Sequence, residues 1–431
     1  MNRHTATATR LSMLFGFLTV FTAGSIATAV ADVPSRPAAT TALSKVLTDA
    51  VARNDAPGVV GLVVDRRGVV YQGSAGKLGG ADTPALPADA IFNIASMTKP
   101  VTSVAVMMLV EQGKVSLDDP VSKYLPGFDH LRVVTKFNAA DGTVETRPAA
   151  KVMTVRHLLT HTSGIGYGFS SPVLARLQQG TTKSEWELPL LHEPGEKWTY
   201  GASTRVLGLI VEKVSGENLE AFDQKHILGP LGMTDTSYAV PTGKQSRLIQ
   251  AFARVDGKFQ SRTGAPIPAI PTAPFNGDGG LYSTAQDYGK FMRMLLNGGH
   301  LGDVRILSEK SVRMMGQNNI GSVVVSQQPV GIPDLTKPFP LGAGRDKFGL
   351  GFQLTQAGPG GAAAESSADG RKYRSPGSMS WAGLFNTEFW VDPKAGIGGV
   401  LLMQYLPFYD DGAIRTLQEF ESTAYRELVK R

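Results

Sequence analysis

Ser96 and Lys99, in the stretch NIASMTKPVTSVAVMMLV (residues 93–110), set a hydroxyl and an amine three residues apart at the mouth of a long apolar segment. Residues three apart on a helix share a face, so the two groups can meet within hydrogen-bonding distance. A serine hydroxyl is a weak nucleophile until a neighbouring base takes its proton, and a lysine can be that base only when uncharged. Two features favour the neutral amine: the apolar surround penalises the charge, and the positive end of the helix dipole repels it. An ordinary helix start places a glutamate three residues after the serine, so a lysine there has the wrong sign for capping. Pro100 suits a first helical turn, where N–H groups lack partners anyway. The plain alternative is Ser96 as a helix cap and Lys99 as a solvated charge, and S-x-x-K alone recurs by chance.

Three other stretches offer competing chemistry. GASTR (residues 201–205) begins like the G-x-S-x-G nucleophile elbow, but Arg205 replaces the last glycine and the segment enters a helix, so Ser203 is expected to be a helix cap. HLLTH sets His157 and His161 on one helical face, yet the glutamate of H-E-x-x-H and a third ligand are missing, so structural histidines and no metal are expected. GDGGLYST lacks the lysine and spacing of a phosphate loop and is expected to shape a cleft.

The elements that must position these residues are legible in outline. TALSKVLTDAVARN has a helical pattern, and GVVGLVVD and GVVYQGSAG are Val-rich strands joined by a turn at residues 66–68. Residues 97–112 form a helix, apolar on nearly every side and hence buried, ending at Gly113. Helical patterns fill the middle of the chain, strands return at FGLGFQL, GLFNTEFWVD and IGGVLLMQYL, and a helix spans about 411–430. PKAG predicts an antiparallel hairpin between the last two strands, whereas residues 136–150 and 358–372 lack periodicity and are expected to be surface loops. The fold class is therefore α/β (α+β): one sheet built from both termini (about 40–95 and 345–431) with a mainly helical region (about 96–344) inserted.

With 431 residues, 42% of them apolar, the chain can build a large core. Residues 1–31 combine a basic start, an apolar run and a small-residue ending, the pattern of a secretory signal peptide cut after Ala31, leaving a mature domain of 32–431. That predicts a periplasmic or extracellular protein with no stable membrane anchor, the apolar run being shorter than a spanning helix. The chain has no cysteine, which excludes disulfides and a thiol nucleophile. Loss of Arg3 and Arg10 takes the formal charge from +6 to +4, and with no basic stripe interleaved with aromatics no nucleic-acid partner is expected.

Taken with Tyr200 directly before a helix, in EPGEKWTYGASTRVLGLIVEKVSG, and Trp381-Ala382-Gly383 in SMSWAGLFNTEFWVDP, the chain resembles the serine β-lactamase and penicillin-binding-protein superfamily. The likeness is narrowest to class C β-lactamase-like hydrolases, including family VIII carboxylesterases. LDDPVSKYLP, TVRHLLTHTSGI, ILGPLGMTDTSY and GGLYSTAQDYGKFMRMLLNGG match the same family, over about residues 44–405. The resemblance implies Ser96 as nucleophile, Lys99 as its helical partner and Tyr200 sharing proton transfer with the lysine. A phenol beside an amine is expected to be more acidic than a free one. It also implies an oxyanion hole from the backbone N–H groups of Ser96 and Leu384, and no metal or organic cofactor.

Two motifs depart from the family pattern. Tyr-x-Asn is Tyr200-Gly201-Ala202 here, so the amide that would contact an acyl-side carbonyl is missing at Ala202, and Ser203 stands one residue late to replace it. Lys/His-Thr-Gly is Trp381-Ala382-Gly383, which loses the cation and hydroxyl that hold a β-lactam's carboxylate and offers an apolar plate instead. These residues at the substrate point to a small-molecule ester, with β-lactams, D-amino-acid peptides or amides, and acyl transfer to an alcohol as alternatives within the fold. A binding protein for peptidoglycan-like ligands would have little need of a complete Ser96, Lys99 and Tyr200 set.

Overall fold

The computed structural model describes residues 37–357, apart from 263, 265 and 266, and residues 373–429. The proposed signal peptide and the expected loop at 358–372 lie outside the described residues.

A seven-stranded antiparallel sheet organises the chain. Its strands are β1 (Gly58–Asp65), β2 (Val69–Gly76), β3 (Lys347–Phe348), β4 (Gln353–Leu354), β5 (Met379–Gly383), β6 (Thr387–Asp392) and β7 (Ile397–Leu402), in the order β3-β4-β5-β6-β7-β1-β2. The two termini thus supply one sheet, β1 closing against β7 from Val60↔Leu402 to Asp65↔Ile397. The β6–β7 hairpin forms across PKAG as expected.

Both faces of the sheet are covered, which explains why β1 is a continuous apolar run rather than an alternating one. Val59 and Val63 pack with the helices α1 (Pro37–Ala52) and α5 (Asp411–Leu428), whereas Val60, Leu62 and Val64 join the larger core on the other face. There α4 (Ala285–Leu296) lies so close that a Cβ on Gly289 would stand 2.9 Å from Leu62.

The helical region carries α2 (Thr98–Glu111) and α3 (Ser203–Ser215). Helix α2 is buried from Thr98 through Met107, so its lack of a polar face in the sequence translates into encasement on all sides. One expectation fails here. Residues 136–150 are not a loop: Arg132–Phe137 and Val144–Pro148 pair as an antiparallel hairpin. Both strands are largely exposed and bury no alternating apolar face, which is why periodicity gave no signal.

Candidate active site

The turn that carries Ser96 is shaped by one close backbone approach and one left-handed residue. Strand β5 runs against it at Gly383, where a Cβ would stand 2.3 Å from both the Ile94 carbonyl oxygen and Thr387 Oγ1, so only glycine lets the strand reach the turn. Ala95 sits at φ 43°, a left-handed conformation costly for a residue with a Cβ, and its N–H is held by Asn93 Oδ1 at 2.9 Å. Ser96 then falls in a short 3-10 turn, Ala95–Met97, ahead of α2, whose N-cap is Met97 without any side-chain cap. The plain role of helix cap is thereby excluded for Ser96.

Lys99 is 2% exposed. Its Nζ donates to Ser96 Oγ at 3.0 Å and to the Asp278 carbonyl oxygen at 2.6 Å. Burial lowers the lysine's pKa to about 7, with Arg205 pushing the same way and the Asp278 carboxylate opposing. That carboxylate is itself held at both oxygens, by Arg205 Nε at 2.8 Å and by the Tyr167 hydroxyl at 2.5 Å.

Tyr200 reaches the same place from the loop before α3. Its backbone N–H is fixed by Gln328 Oε1 at 3.1 Å, and a Cβ on Gly201 would lie 2.0 Å from the Ile165 carbonyl oxygen, so the loop can pass that backbone only as glycine. Burial raises the Tyr200 pKa, offset in part by the Ser96 hydroxyl beside it. This corrects the expected acidic phenol: inside an aromatic box the loss of solvation outweighs any help to the phenolate, and a half-neutral amine supplies little positive charge. The Trp381, His161 and Tyr167 ring centroids lie 4.9, 5.0 and 5.3 Å from that of Tyr200.

Ser96, Tyr200, Trp381, Ala382 and Leu384 line one cavity of about 180 Å³. Asp278 and Gly279, from the GDGGLYST stretch, line it too. Gly383 acts through its close approach to Ile94, which brings Leu384 to the Ser96 turn. Ala202, expected at the substrate, is fully buried and lies outside the lining. Ser203 neither replaces the missing amide nor caps α3: the N-cap is Ala202, and Ser203 Oγ is buried at 2.8 Å from Ser163 Oγ. Trp381 is both packed and at the cavity, 6% exposed against His161 and Tyr200 yet forming a cavity wall.

The two histidines of HLLTH are divided between unrelated tasks. His157 Nδ1 accepts the Thr154 N–H in a capping box, while His161 is buried among Trp198, Tyr200, Phe348 and Trp381. Among the described residues no group of three or more His, Cys, Asp or Glu could hold a metal ion. Asp278, Arg205, Tyr167 and Gln328 were not anticipated as site residues. Two signals were available: GDGGLYST, expected to shape a cleft, contains Asp278, and Arg205 is a charge in a segment otherwise apolar enough to be buried.

The model of the beta-lactamase family matches residues 43–423. The chain belongs to the beta-lactamase family. Among curated members, protein Rv1367c of Mycobacterium tuberculosis is 35% identical over 74% of this chain and 78% of its own. Monacolin J acid methylbutanoyltransferase of Aspergillus terreus is 29% identical over 80% and 84%, and lovastatin esterase of Penicillium rubens 29% over 86% and 94%. In structure, a variant of simvastatin synthase from Aspergillus terreus matches with a TM-score of 0.74 and 26% identity, over 90% of this chain and 97% of that one. The protein is thus an enzyme of the beta-lactamase-like serine hydrolase and acyltransferase group, with the mixed α/β fold of that group.

Proposed function

We propose that the protein cleaves carboxylic esters through an acyl-enzyme on Ser96. The observation that carries this reading is the 3.0 Å contact between Ser96 Oγ and a buried Lys99 whose pKa burial has brought to about 7. An amine uncharged near neutral pH can take the serine's proton as the oxygen attacks the ester carbonyl. Tyr200, its pKa raised, starts as a phenol and relays the proton: it gives its own to the leaving alkoxide and takes one back from the Lys99 ammonium, which returns the amine to its neutral form. The backbone N–H groups of Ser96 and Leu384 receive the oxyanion, and water, activated by the same amine, completes hydrolysis. These steps call for no metal or organic cofactor.

The ester preference rests on Trp381 and Ala382, which give the cavity an apolar wall where a lactam carboxylate would need a cation. The lovastatin esterase likeness agrees with it. Acyl transfer to an alcohol in place of water is a second reading, favoured by the methylbutanoyltransferase likeness, and differs only in the acceptor. We further propose export to the periplasm or beyond, on the N-terminal pattern alone. Among the described residues no helix is long and apolar enough to cross a membrane.

The test is a panel of short-chain p-nitrophenyl esters, nitrocefin and D-peptides with the wild type and Ser96→Ala. Ester turnover that disappears in the variant is expected. Activity surviving the substitution would overturn the mechanism, and efficient nitrocefin turnover with negligible esterase activity would overturn the substrate class.

A further inference from the structure

A second, smaller cavity adjoins the catalytic one. It holds about 40 Å³ and shares Phe339, Trp381, Ala382 and Phe408 with the Ser96 cavity. With one water needing roughly 10–15 Å³ of such space, it has room for a few non-hydrogen atoms. Its far end is polar. Glu388 on β6 is paired with Ala382 on β5, so the two side chains project from the same face, and Glu388 lines this cavity beside the small alanine.

Glu388 is 7% exposed, and its Oε1 is buried without a hydrogen-bond partner. The neighbouring groups are engaged elsewhere. Arg374 gives its backbone N–H, Nε and Nη2 to Glu421, at 3.2, 3.0 and 2.6 Å. Asp346 accepts from Gln353 Nε2 at 2.8 Å and from the Gln356 N–H at 3.1 Å. A buried carboxyl oxygen left without a partner is costly, so an occupant that hydrogen-bonds to it is favoured.

Resting on the ester reading above, we propose that this cavity is a substrate subsite that receives a hydroxyl group carried by the ester, hydrogen-bonded to Glu388. The chemistry of the carboxyl suits that occupant. Burial pushes Glu388 up to about 8, so near neutral pH it is mostly the uncharged acid, with one O–H to donate and one carbonyl oxygen to accept. A hydroxyl has the complementary pair. The volume admits a short hydroxylated arm and no bulky one, and Phe339, Phe408 and Leu417 sheath its carbons.

The experiment compares kcat/KM within two matched pairs: butyl against 4-hydroxybutyl butanoate, and p-nitrophenyl butanoate against p-nitrophenyl 3-hydroxybutanoate. In the wild type the hydroxylated member of one pair is expected to be favoured roughly tenfold, as one buried hydrogen bond allows. The ratio should fall to about one in Glu388→Leu and be largely kept in Glu388→Gln, whose amide still donates and accepts. Ala382→Val, which crowds the shared wall without removing a buried polar group, should also collapse the ratio and serves if Glu388→Leu does not fold. A wild-type ratio of one or less in both pairs, the behaviour of a cavity that holds only water, overturns the proposal while leaving the ester reading intact. So does a preference unchanged by Glu388→Leu or, where that variant does not fold, by Ala382→Val. No turnover of any of the four esters overturns both.

Discussion

Replacing Lys99 by methionine should stabilise the protein while abolishing its activity, and the gain should depend on pH in a defined way. Burial brings the lysine from an ordinary 10.5 to about 7, so holding it charged inside the native protein costs roughly 5 kcal/mol at 1.36 kcal/mol per unit. Its native pKa is depressed, so between about pH 7 and 10.5 the unfolded chain binds a proton that the native protein does not, and wild-type stability rises with pH. The penalty is full below pH 7, fades as pH climbs and is gone above 10.5. Methionine has a similar shape and no charge, but it leaves the Asp278 carbonyl oxygen without the donor now 2.6 Å away, a loss of roughly 1–3 kcal/mol. The net expectation is a gain of about 2–4 kcal/mol at pH 6.5, shrinking steadily and reversing to a small loss near pH 10.5. Urea-unfolding midpoints of both proteins, taken between pH 6.5 and 10.5, measure it. A destabilised variant at pH 6.5, or a difference that does not change with pH, would refute the claim that this lysine is held against its charge.

The remaining expectations concern rate and packing. For ester hydrolysis kcat/KM should rise with pH through an apparent pKa of about 7, the value to which burial brings Lys99. Arg205→Gln, which removes a cation that lowers the lysine's pKa, should move this limb up by roughly one unit, and Asp278→Asn should move it down; limbs that stay fixed in both variants would show that another group titrates. Tyr200→Phe should lower kcat by roughly 10²–10³-fold, the range of a positioned general acid, with Ser96 still labelled by a fluorophosphonate; an unchanged kcat would remove Tyr200 from the proton path. Gly383→Ala forces a Cβ to within 2.3 Å of the Ile94 carbonyl oxygen and should cost both stability, by roughly 1–3 kcal/mol, and kcat. A variant with wild-type melting temperature and turnover would mean that β5 does not set the Ser96 turn.

How much the sequence revealed follows the range of the interactions involved. Ser96 and Lys99 were legible because their relation is local: three residues along the chain dictate a shared face, and the apolar run after them dictates burial. The sheet was legible because β1 and β7 are long apolar runs and β6 carries Phe389-Trp390-Val391, and a strand covered on both faces leaves a dense signature. The hairpin at residues 132–148 left none, because it is held by its ladder and turn with almost no buried face. Tyr200, Trp381 and Leu384 could be placed only through family motifs, since nothing local makes a tyrosine before one helix meet a serine before another. Even so, resemblance misplaced Ala202, which is fully buried away from the cavity.

Electrostatics of the site was the least legible part, and Asp278 shows why. Its backbone carbonyl, present in any residue, holds Lys99, while its side chain, held by Arg205 and Tyr167, sets part of the field the lysine feels. Residue type at position 278 therefore governs pKa rather than geometry at the amine, and a motif records geometry. The two charges act on Lys99 in opposite directions, Asp278 more strongly than Arg205, so each offsets part of the other's effect on the amine. Either charge alone would move it. It follows that the neutral pair anchors a catalytic loop without spoiling the base, and that the single variants Arg205→Gln and Asp278→Asn should each disturb the pH profile more than Arg205→Gln/Asp278→Asn together.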